Sequence, residues 1–223
     1  MRAENRVTVL LRDVPARDPR HGCSAIFEQK HYSQHANILG VWLDVIPRDQ
    51  QTAVLTKILS KSDSGFTSSA TVPEMTQATY YFRFYLARAL DHAGMGDEYL
   101  NLLKPWREMV ALGLTTWAEQ PEPTRSDSHA WSAHPNFDFL TIVAGIRPKT
   151  HGFATITIEP HLGSLRIVNS AMPTPKGMVE VSYAVKNSGV TADITLPANV
   201  GGELIWKGKA FNLRPGRQQF VLW

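Results

Sequence analysis

The chain has 223 residues, of which 43% are hydrophobic and 19% charged, with a formal net charge of +3. This balance is typical of a globular protein with a buried core and excludes a disordered chain. The basic residues are dispersed, which argues against nucleic-acid binding, and no stretch approaches the roughly 20 apolar residues of a membrane helix.

Cofactor, metal and targeting signals are not found in the sequence. Cys23 is the only cysteine, so an intrachain disulfide is excluded and a free thiol without function is expected. The histidine spacings predict no metal site, and no glycine-rich phosphate loop occurs. The apolar run at residues 7–11 is shorter than the roughly 7–15 residues of a secretory signal. We therefore expect a cytoplasmic protein without cofactor or metal.

Apolar periodicity predicts helices in the first two thirds of the chain. Residues 1–26 receive no fold assignment. Ser33 is the predicted N-cap of a helix that reaches about residue 45, and Pro47 stands in the first turn of the next helix. The further predicted segments are a polar loop over 60–69, a helix from about 71 to Gly94, a helix from 97 to Gly113 that Pro105 kinks or splits, a loop over 114–128, and a helix over 131–144.

Beyond residue 150 the apolar period changes from 3.6 to 2, which predicts strands. Apolar and polar residues alternate over 179–185 and 190–196, on both sides of an Asn187-Ser188-Gly189 turn, so a hairpin is expected there. Shorter strands are predicted at 153–158, 165–168, 204–206 and 220–223. Regularly spaced short strands favour a small β-sandwich, and we expect the boundary between helices and strands near Lys149.

The most informative segment is the loop that precedes the last predicted helix. It places one carboxylate, Glu119, two residues after Trp117, and His129 and Trp131 follow about ten residues later. Aromatic faces and charged hydrogen-bonding groups are the side chains that bind sugars, and loops on rigid scaffolds are frequent functional sites. Composition alone leaves open that both tryptophans are core residues, that Glu119 is merely solvated, and that His129 is structural.

Five sequence blocks resemble bacterial α-L-rhamnosidases in their C-terminal region. The blocks occur in the family's order and cover the chain from about residue 27 to its end. They are Tyr32-Ser-Gln-His-Ala-Asn37, Tyr81-Phe-Arg-Phe-Tyr85, Gly113-Leu-Thr-Thr-Trp-Ala-Glu119, Arg125-Ser-Asp-Ser-His-Ala-Trp-Ser-Ala-His-Pro135 and Gly145-Ile-Arg-Pro148. The long block around His129 is the most specific of the five.

The resemblance implies an α plus β multidomain fold, in which part of an (α/α)6 barrel of helical hairpins precedes a small antiparallel β-sandwich. The expected domains are 27–148 for the partial barrel and 149–223 for the β-sandwich, after an unassigned segment 1–26. The resemblance also implies inverting hydrolysis of terminal α-L-rhamnosides, with rhamnose-containing glycosides as substrates and no cofactor.

The resemblance assigns the catalytic base to Glu119, which must be ionised near neutral pH to accept a proton from water. Glu122 and Asp127 lie in the same loop and are rival bases. The residues that the resemblance places at the sugar site are Trp117, His129 and Trp131, with His35 and Asn37 from the first block. The assignment requires the Glu119 carboxylate to lie near His129 and Trp131.

An inverting enzyme also needs a carboxylic acid about 6.5–9.5 Å from the base. In the family this acid lies on an upstream segment, and no Asp or Glu between residues 1 and 31 resembles its motif. One hypothesis is therefore an enzyme completed by the N-terminal part of the barrel as a partner. The alternatives are an inactive fragment or carbohydrate-binding module, and another glycosidase or a phosphorylase on the same barrel.

Overall fold

The computed structural model describes residues 33–62, 65–68, 75–120, 123–187 and 189–223. They form two compact units. The first contains the described residues up to Met95 together with Asn101–Ala133, and the second contains Gly96–Leu100 and His134–Trp223. The unassigned segment 1–26 with Cys23, and the expected helix start at 71–74, lie outside the described residues. The predicted domain boundary at 148–149 stays a prediction.

The first unit begins with two helices that the sequence predicted. Ser33 caps the first of them, because its Oγ accepts a hydrogen bond from the Ala36 N–H at 3.1 Å, and Pro47 immediately precedes the second. Two short antiparallel strands overlap the segment 60–69 that was predicted to be a polar loop, so that prediction was wrong for its described residues. The elements of this unit are α1 (Gln34–Trp42), α2 (Arg48–Ile58), β1 (Leu59–Ser62), β2 (Gly65–Ser68), α3 (Arg83–His92) and α4 (Lys104–Ala111).

Helix α3 starts about ten residues later than the sequence predicts. Residues 75–79 are not helical. Their backbone bonds instead to Gln34, whose N–H donates to the Thr76 carbonyl at 2.9 Å and whose Oε1 accepts from the Ala78 N–H at 2.8 Å. Side-chain and backbone bonds to α1 thus take the place of helical bonds at Thr76 and Ala78. The predicted end at Gly94 is confirmed, with a positive φ of 72°.

Proline divides both later helical segments. A 3-10 helix over Gly96–Leu103 precedes α4, whose first turn contains Pro105, as predicted. The helix predicted over 131–144 is discontinuous, because Pro135 has no N–H to continue the preceding turn. It consists of a 3-10 turn (Ala130–Ala133), α5 (Pro135–Asp138) and a π-helical turn (Phe139–Val143).

The second unit contains two four-stranded sheets, in the orders β10-β7-β6-β5 and β3-β4-β8-β9. The predicted hairpin is confirmed as β6 and β7, which pair up to Lys186 and Gly189. The strands are β3 (Ile146–Pro148), β4 (Thr155–Ile158), β5 (Ile167–Thr174), β6 (Gly177–Lys186), β7 (Gly189–Leu196), β8 (Gly201–Trp206), β9 (Lys209–Leu213) and β10 (Gly216–Leu222). One pair, β4 with β8, is parallel, so the sheets are not purely antiparallel as expected.

Both sheets contribute to one hydrophobic core, which is the arrangement of a β-sandwich. Ile156 and Leu204 belong to one sheet and Tyr183 and Ile194 to the other, and all four are at most 1% exposed. The Tyr183 hydroxyl donates to the Ala144 carbonyl at 2.9 Å, and burial raises the pKa of this phenol. The sequence did not predict β3 and β9, because β3 is very short and β9 shows no clear alternation.

Candidate functional site

The predicted loop 114–128 contains no helix or strand among its described residues, but its two ends pair with each other. The Glu119 N–H donates to the Ser126 carbonyl at 2.9 Å, and the His129 N–H donates to the Trp117 carbonyl at 2.8 Å. Residues that are seven and twelve positions apart in sequence are thereby placed side by side. This pairing brings the predicted base into the same part of the loop as His129.

Helix α4 forms hydrogen bonds with Ala118, in the loop, and with Ser132, which follows the loop. The Ala118 N–H donates to the Met109 Sδ at 3.2 Å. The buried indole of Trp106 donates from Nε1 to the Ser132 carbonyl at 2.8 Å. The loop is therefore built on a rigid element, which gives its side chains fixed positions.

Glu119 is buried and forms a bidentate ion pair with Arg125. The residue is 6% exposed. Its Oε2 accepts from the Arg125 Nε at 2.7 Å, and its Oε1 accepts from the Arg125 Nη2. The Arg125 side chain is 80% exposed, so an exposed guanidinium pairs with a buried carboxylate.

The charges around Glu119 favour its ionised form. Hydrogen bonding to Arg125 is the largest influence and holds the pKa of Glu119 below its ordinary value of 4.5, while burial acts in the opposite direction. The charges of Arg125 and His129 lower this pKa further. Glu119 is thus a carboxylate at neutral pH, the state that a general base requires.

Three rings form a cluster next to this loop. The Tyr81 ring lies 6.0 Å from the His129 ring and 5.1 Å from the Trp131 ring, measured between centroids. Trp131 is 54% exposed. We call Tyr81, His129 and Trp131 the aromatic cluster. Its exposed indole and its two polar rings are chemically suited to an amphipathic ligand such as a sugar.

The Nε2 atom of His129 is buried and has no hydrogen-bond partner within the part of the chain that the structure describes. A buried polar atom without a partner costs free energy in the folded protein, so it is an obvious place for a ligand hydroxyl or a water molecule. After Glu119, the His129 Nε2 is the second polar group that this part of the chain offers to a ligand.

The other predicted site residues, His35, Asn37 and Trp117, are not members of the aromatic cluster. His35 packs against Phe82 with a centroid distance of 4.3 Å, and the Phe82 ring lies 6.4 Å from Tyr81. His35 therefore connects to the aromatic cluster through one intervening ring. Asn37 is fully buried in the first unit, and its Nδ2 donates to the Ser33 carbonyl at 2.8 Å. Trp117 is half-buried.

The two rival bases are not assigned to the site, whereas Arg125 and Tyr81 belong to it. Glu122 lies outside the described residues, and Asp127 is exposed, with its carbonyl accepting from Thr116. Sequence reasoning did not single out Arg125 or Tyr81, although both lie in matched blocks. Nothing in their spacing indicates that Arg125 reaches Glu119 or that Tyr81 reaches His129.

Two features are absent from the described residues. In residues 33–62, 65–68, 75–120, 123–187 and 189–223, no group of three or more His, Cys, Asp or Glu side chains is placed to hold a metal ion. Over the same residues, no helix has the length and apolar character needed to cross a membrane.

Comparison with known proteins shows similarity to α-L-rhamnosidases. Residues 145–219 match the family model of the bacterial alpha-L-rhamnosidase C-terminal domain. An alpha-L-rhamnosidase from Alteromonas sp. (strain LOR) is 25% identical over 227 residues, which cover 85% of this chain and 24% of that protein.

Solved structures show the same fold. The alpha-L-rhamnosidase of Dictyoglumus thermophilum matches with a TM-score of 0.69 and 20% identity, over 88% of this chain and 26% of that one. The alpha-L-rhamnosidase of Streptomyces avermitilis, solved as a complex with L-rhamnose, matches with a TM-score of 0.66 and 17% identity, over 85% of this chain and 21% of that one.

This chain spans about a quarter of the length of the relatives that it matches. The predicted resemblance to the C-terminal portion of bacterial α-L-rhamnosidases is therefore confirmed, since residues 145–219 match the model of their C-terminal domain and the similarity to the Alteromonas protein extends over 85% of the chain.

Proposed function

We propose that the chain is the base-bearing part of an inverting glycoside hydrolase that acts on terminal α-L-rhamnosides. The observation that carries this proposal is the buried, ionised Glu119, held by Arg125 in the loop that also contributes His129 to the aromatic cluster. We further propose that residues 27–148 are part of an (α/α)6 barrel and that 149–223 are the C-terminal domain. The relatives named above are all α-L-rhamnosidases, which favours this function over a non-catalytic module or another glycosidase.

Glu119 acts as general base in this proposal. A carboxylate offers about four lone-pair directions, and the bidentate contact with Arg125 uses two of them. A water molecule bonded to a remaining direction transfers a proton to Glu119 while its oxygen attacks the anomeric carbon. The bond from that carbon to the leaving oxygen breaks on the opposite face, which inverts the configuration.

The aromatic cluster binds the sugar in this proposal. L-Rhamnose carries a methyl group where most hexoses carry a hydroxymethyl group, so one side of the ring is unusually apolar. The exposed Trp131 face suits that side, and the buried His129 Nε2 suits a hydroxyl. The Streptomyces avermitilis relative was solved with L-rhamnose, which supports the same sugar for this chain.

We infer that the carboxylic acid that protonates the leaving oxygen comes from residues outside this chain. An alkyl or sugar leaving group departs as an alkoxide unless it is protonated, and general-acid assistance typically contributes about 10²–10⁴-fold. The relatives are about four times as long as this chain, which leaves room for the acid elsewhere in the complete enzyme.

α-L-Rhamnosyl fluoride tests this function directly, because fluoride leaves with little need for an acid. We expect the full chain to release fluoride at a rate above the spontaneous one, and we expect NMR to show β-L-rhamnose as the first product. Methyl α-L-rhamnoside should be hydrolysed about 10²–10⁴-fold more slowly. A folded chain that neither releases fluoride nor binds L-rhamnose would contradict the proposal, as would an α-anomer as first product.

Trp131→Ala is expected to weaken L-rhamnose binding about tenfold. An indole that covers about 50 Å² of sugar C–H surface contributes about 1.3 kcal/mol, and 1.4 kcal/mol corresponds to a factor of about ten in Kd. Trp131→Phe should retain most of the affinity. Trp223→Ala removes another exposed tryptophan, in the second unit, and is the matched control. NMR titration with L-rhamnose measures each Kd. An unchanged Kd for Trp131→Ala argues against Trp131 as the surface on which the sugar stacks.

A further inference from the structure

Arg125 has an unusual environment for a surface arginine. Exposed ion pairs between long side chains are normally weak and poorly fixed, because water solvates both partners. Here the Glu119 side chain is only 9% exposed, while the Arg125 side chain is 80% exposed. The guanidinium makes two parallel contacts with the carboxylate, which is the geometry that arginine, unlike lysine, provides.

The loop backbone prepares this contact. The Glu119 N–H donates to the carbonyl of Ser126, the residue next to Arg125. The Thr124 Oγ1 donates to the same carbonyl at 3.0 Å. The Ser126 carbonyl is therefore held by both Glu119 and Thr124, which fixes the backbone next to Arg125, so that the Arg125 side chain needs only to fold back across the loop.

We propose that Arg125 is a positioning residue for hydrolysis: it fixes the plane of the Glu119 carboxylate beside the aromatic cluster and keeps that group ionised in a buried position. This inference rests on the function proposed above. It assigns to Arg125 a role in the reaction rather than in the stability of the loop alone.

Geometry explains how the pair directs the water molecule. Two parallel N–H donors occupy the carboxylate directions that face the guanidinium, so the directions that remain point away from Arg125. Tyr81 lies near enough to Arg125 to affect its pKa, and the Tyr81 ring contacts Trp131. Arg125 thus pairs with the base and lies near Tyr81, which in turn contacts the proposed sugar platform, Trp131.

Removal of Arg125 has a definite electrostatic consequence. Among the described residues, the charged groups that influence Glu119 are Arg125 and His129. Without Arg125, burial becomes the largest remaining influence on Glu119, and burial raises the pKa of a carboxyl group. A base works only when ionised, so the acid limb of the rate profile should move to higher pH.

The test compares Arg125→Gln and Arg125→Lys with Arg107→Gln, which alters an exposed arginine on α4. Fluoride release from α-L-rhamnosyl fluoride is measured against pH with the full chain. Arg125→Gln should shift the acid limb upward and lower kcat about 10- to 100-fold, because a misplaced base loses much of its efficiency. Arg125→Lys should shift the acid limb less than Arg125→Gln does, because lysine keeps the charge. Its kcat should stay low, because lysine lacks the planar fork of arginine.

A second readout separates failure of this inference from failure of the proposed function. NMR of ¹³C-labelled glutamate, with the Glu119 signal assigned from Glu119→Gln, measures the carboxyl pKa without any turnover. If the unaltered chain releases no fluoride, the proposed function fails. If that pKa rises in Arg125→Gln while the pH profile of fluoride release is unchanged, Glu119 is not the base, and the role of Arg125 is refuted with it. If fluoride release requires Glu119 but neither the pKa nor the rate responds to Arg125→Gln, the function stands and the role of Arg125 is refuted.

Discussion

Replacement of Glu119 by glutamine is expected to slow fluoride release from α-L-rhamnosyl fluoride about 10²–10⁴-fold. The amide has nearly the same shape as the carboxylate but cannot accept the proton of the attacking water. The loss should fall on kcat, because the aromatic cluster that we propose to bind the sugar is unchanged. Steady-state kinetics of the full chain measure this effect.

Asp127→Asn is the matched control for this substitution. Asp127 lies in the same loop, is exposed, and was a rival base in the sequence, so its amide variant should keep kcat within about twofold if it plays no part in proton transfer. The assignment of Glu119 would be refuted if Asp127→Asn, and not Glu119→Gln, lost activity.

External azide distinguishes a base from a merely structural carboxylate. In Glu119→Ala, azide can attack the anomeric carbon of the fluoride substrate without losing a proton, so it needs no base. Fluoride leaves as the carbon–nitrogen bond forms, and β-L-rhamnosyl azide is the expected product. Recovery of fluoride release with azide is the expected result, whereas a purely structural defect would not respond to it.

The second large effect is expected on stability, from Asp138→Ala in the second unit. His134 Nδ1 and Asp138 Oδ2 lie 2.7 Å apart, and their side chains are 5% and 0% exposed. Removal of one partner from a buried pair typically costs about 3–5 kcal/mol. That loss is a large fraction of the roughly 5–15 kcal/mol that separates folded from unfolded domains. Urea denaturation should show a much lower midpoint for the β-sandwich.

Two further variants test the cause of that loss. Asp138→Asn keeps an oxygen that can accept the His134 proton, so it should destabilise less than Asp138→Ala. Asp193→Ala removes the partner of Arg217, whose side chain is 77% exposed, and such surface pairs contribute at most about 1 kcal/mol. Equal losses of unfolding free energy in Asp138→Ala and Asp193→Ala would contradict the importance of burial.

The candidate site was predicted in outline, because its residues lie in sequence blocks with specific resemblance. Glu119, His129 and Trp131 were named from those blocks, and the structure brings His129 and Trp131 together around Tyr81. The sequence could not predict the Arg125 contact. Whether an arginine six residues away meets a carboxylate depends on how the intervening loop folds, and here the loop returns on itself through the Ser126 carbonyl.

The sequence by itself determined the features that depend on neighbouring residues. The cap at Ser33, the helix end at Gly94 and the β6–β7 hairpin follow from local hydrogen bonding, a positive φ and period-2 alternation. These preferences act over a few residues, so a pattern in the chain is enough to reveal them.

Only the tertiary structure decided the features that depend on distant partners. Helix α3 begins at Arg83 and residues 75–79 before it are not helical, because Gln34 binds the backbone of residues 76 and 78. The ionised state of Glu119 likewise depends on the competition between burial and the Arg125 guanidinium. Burial and ion pairing arise only when separate segments pack together, and for that reason no local pattern encodes them.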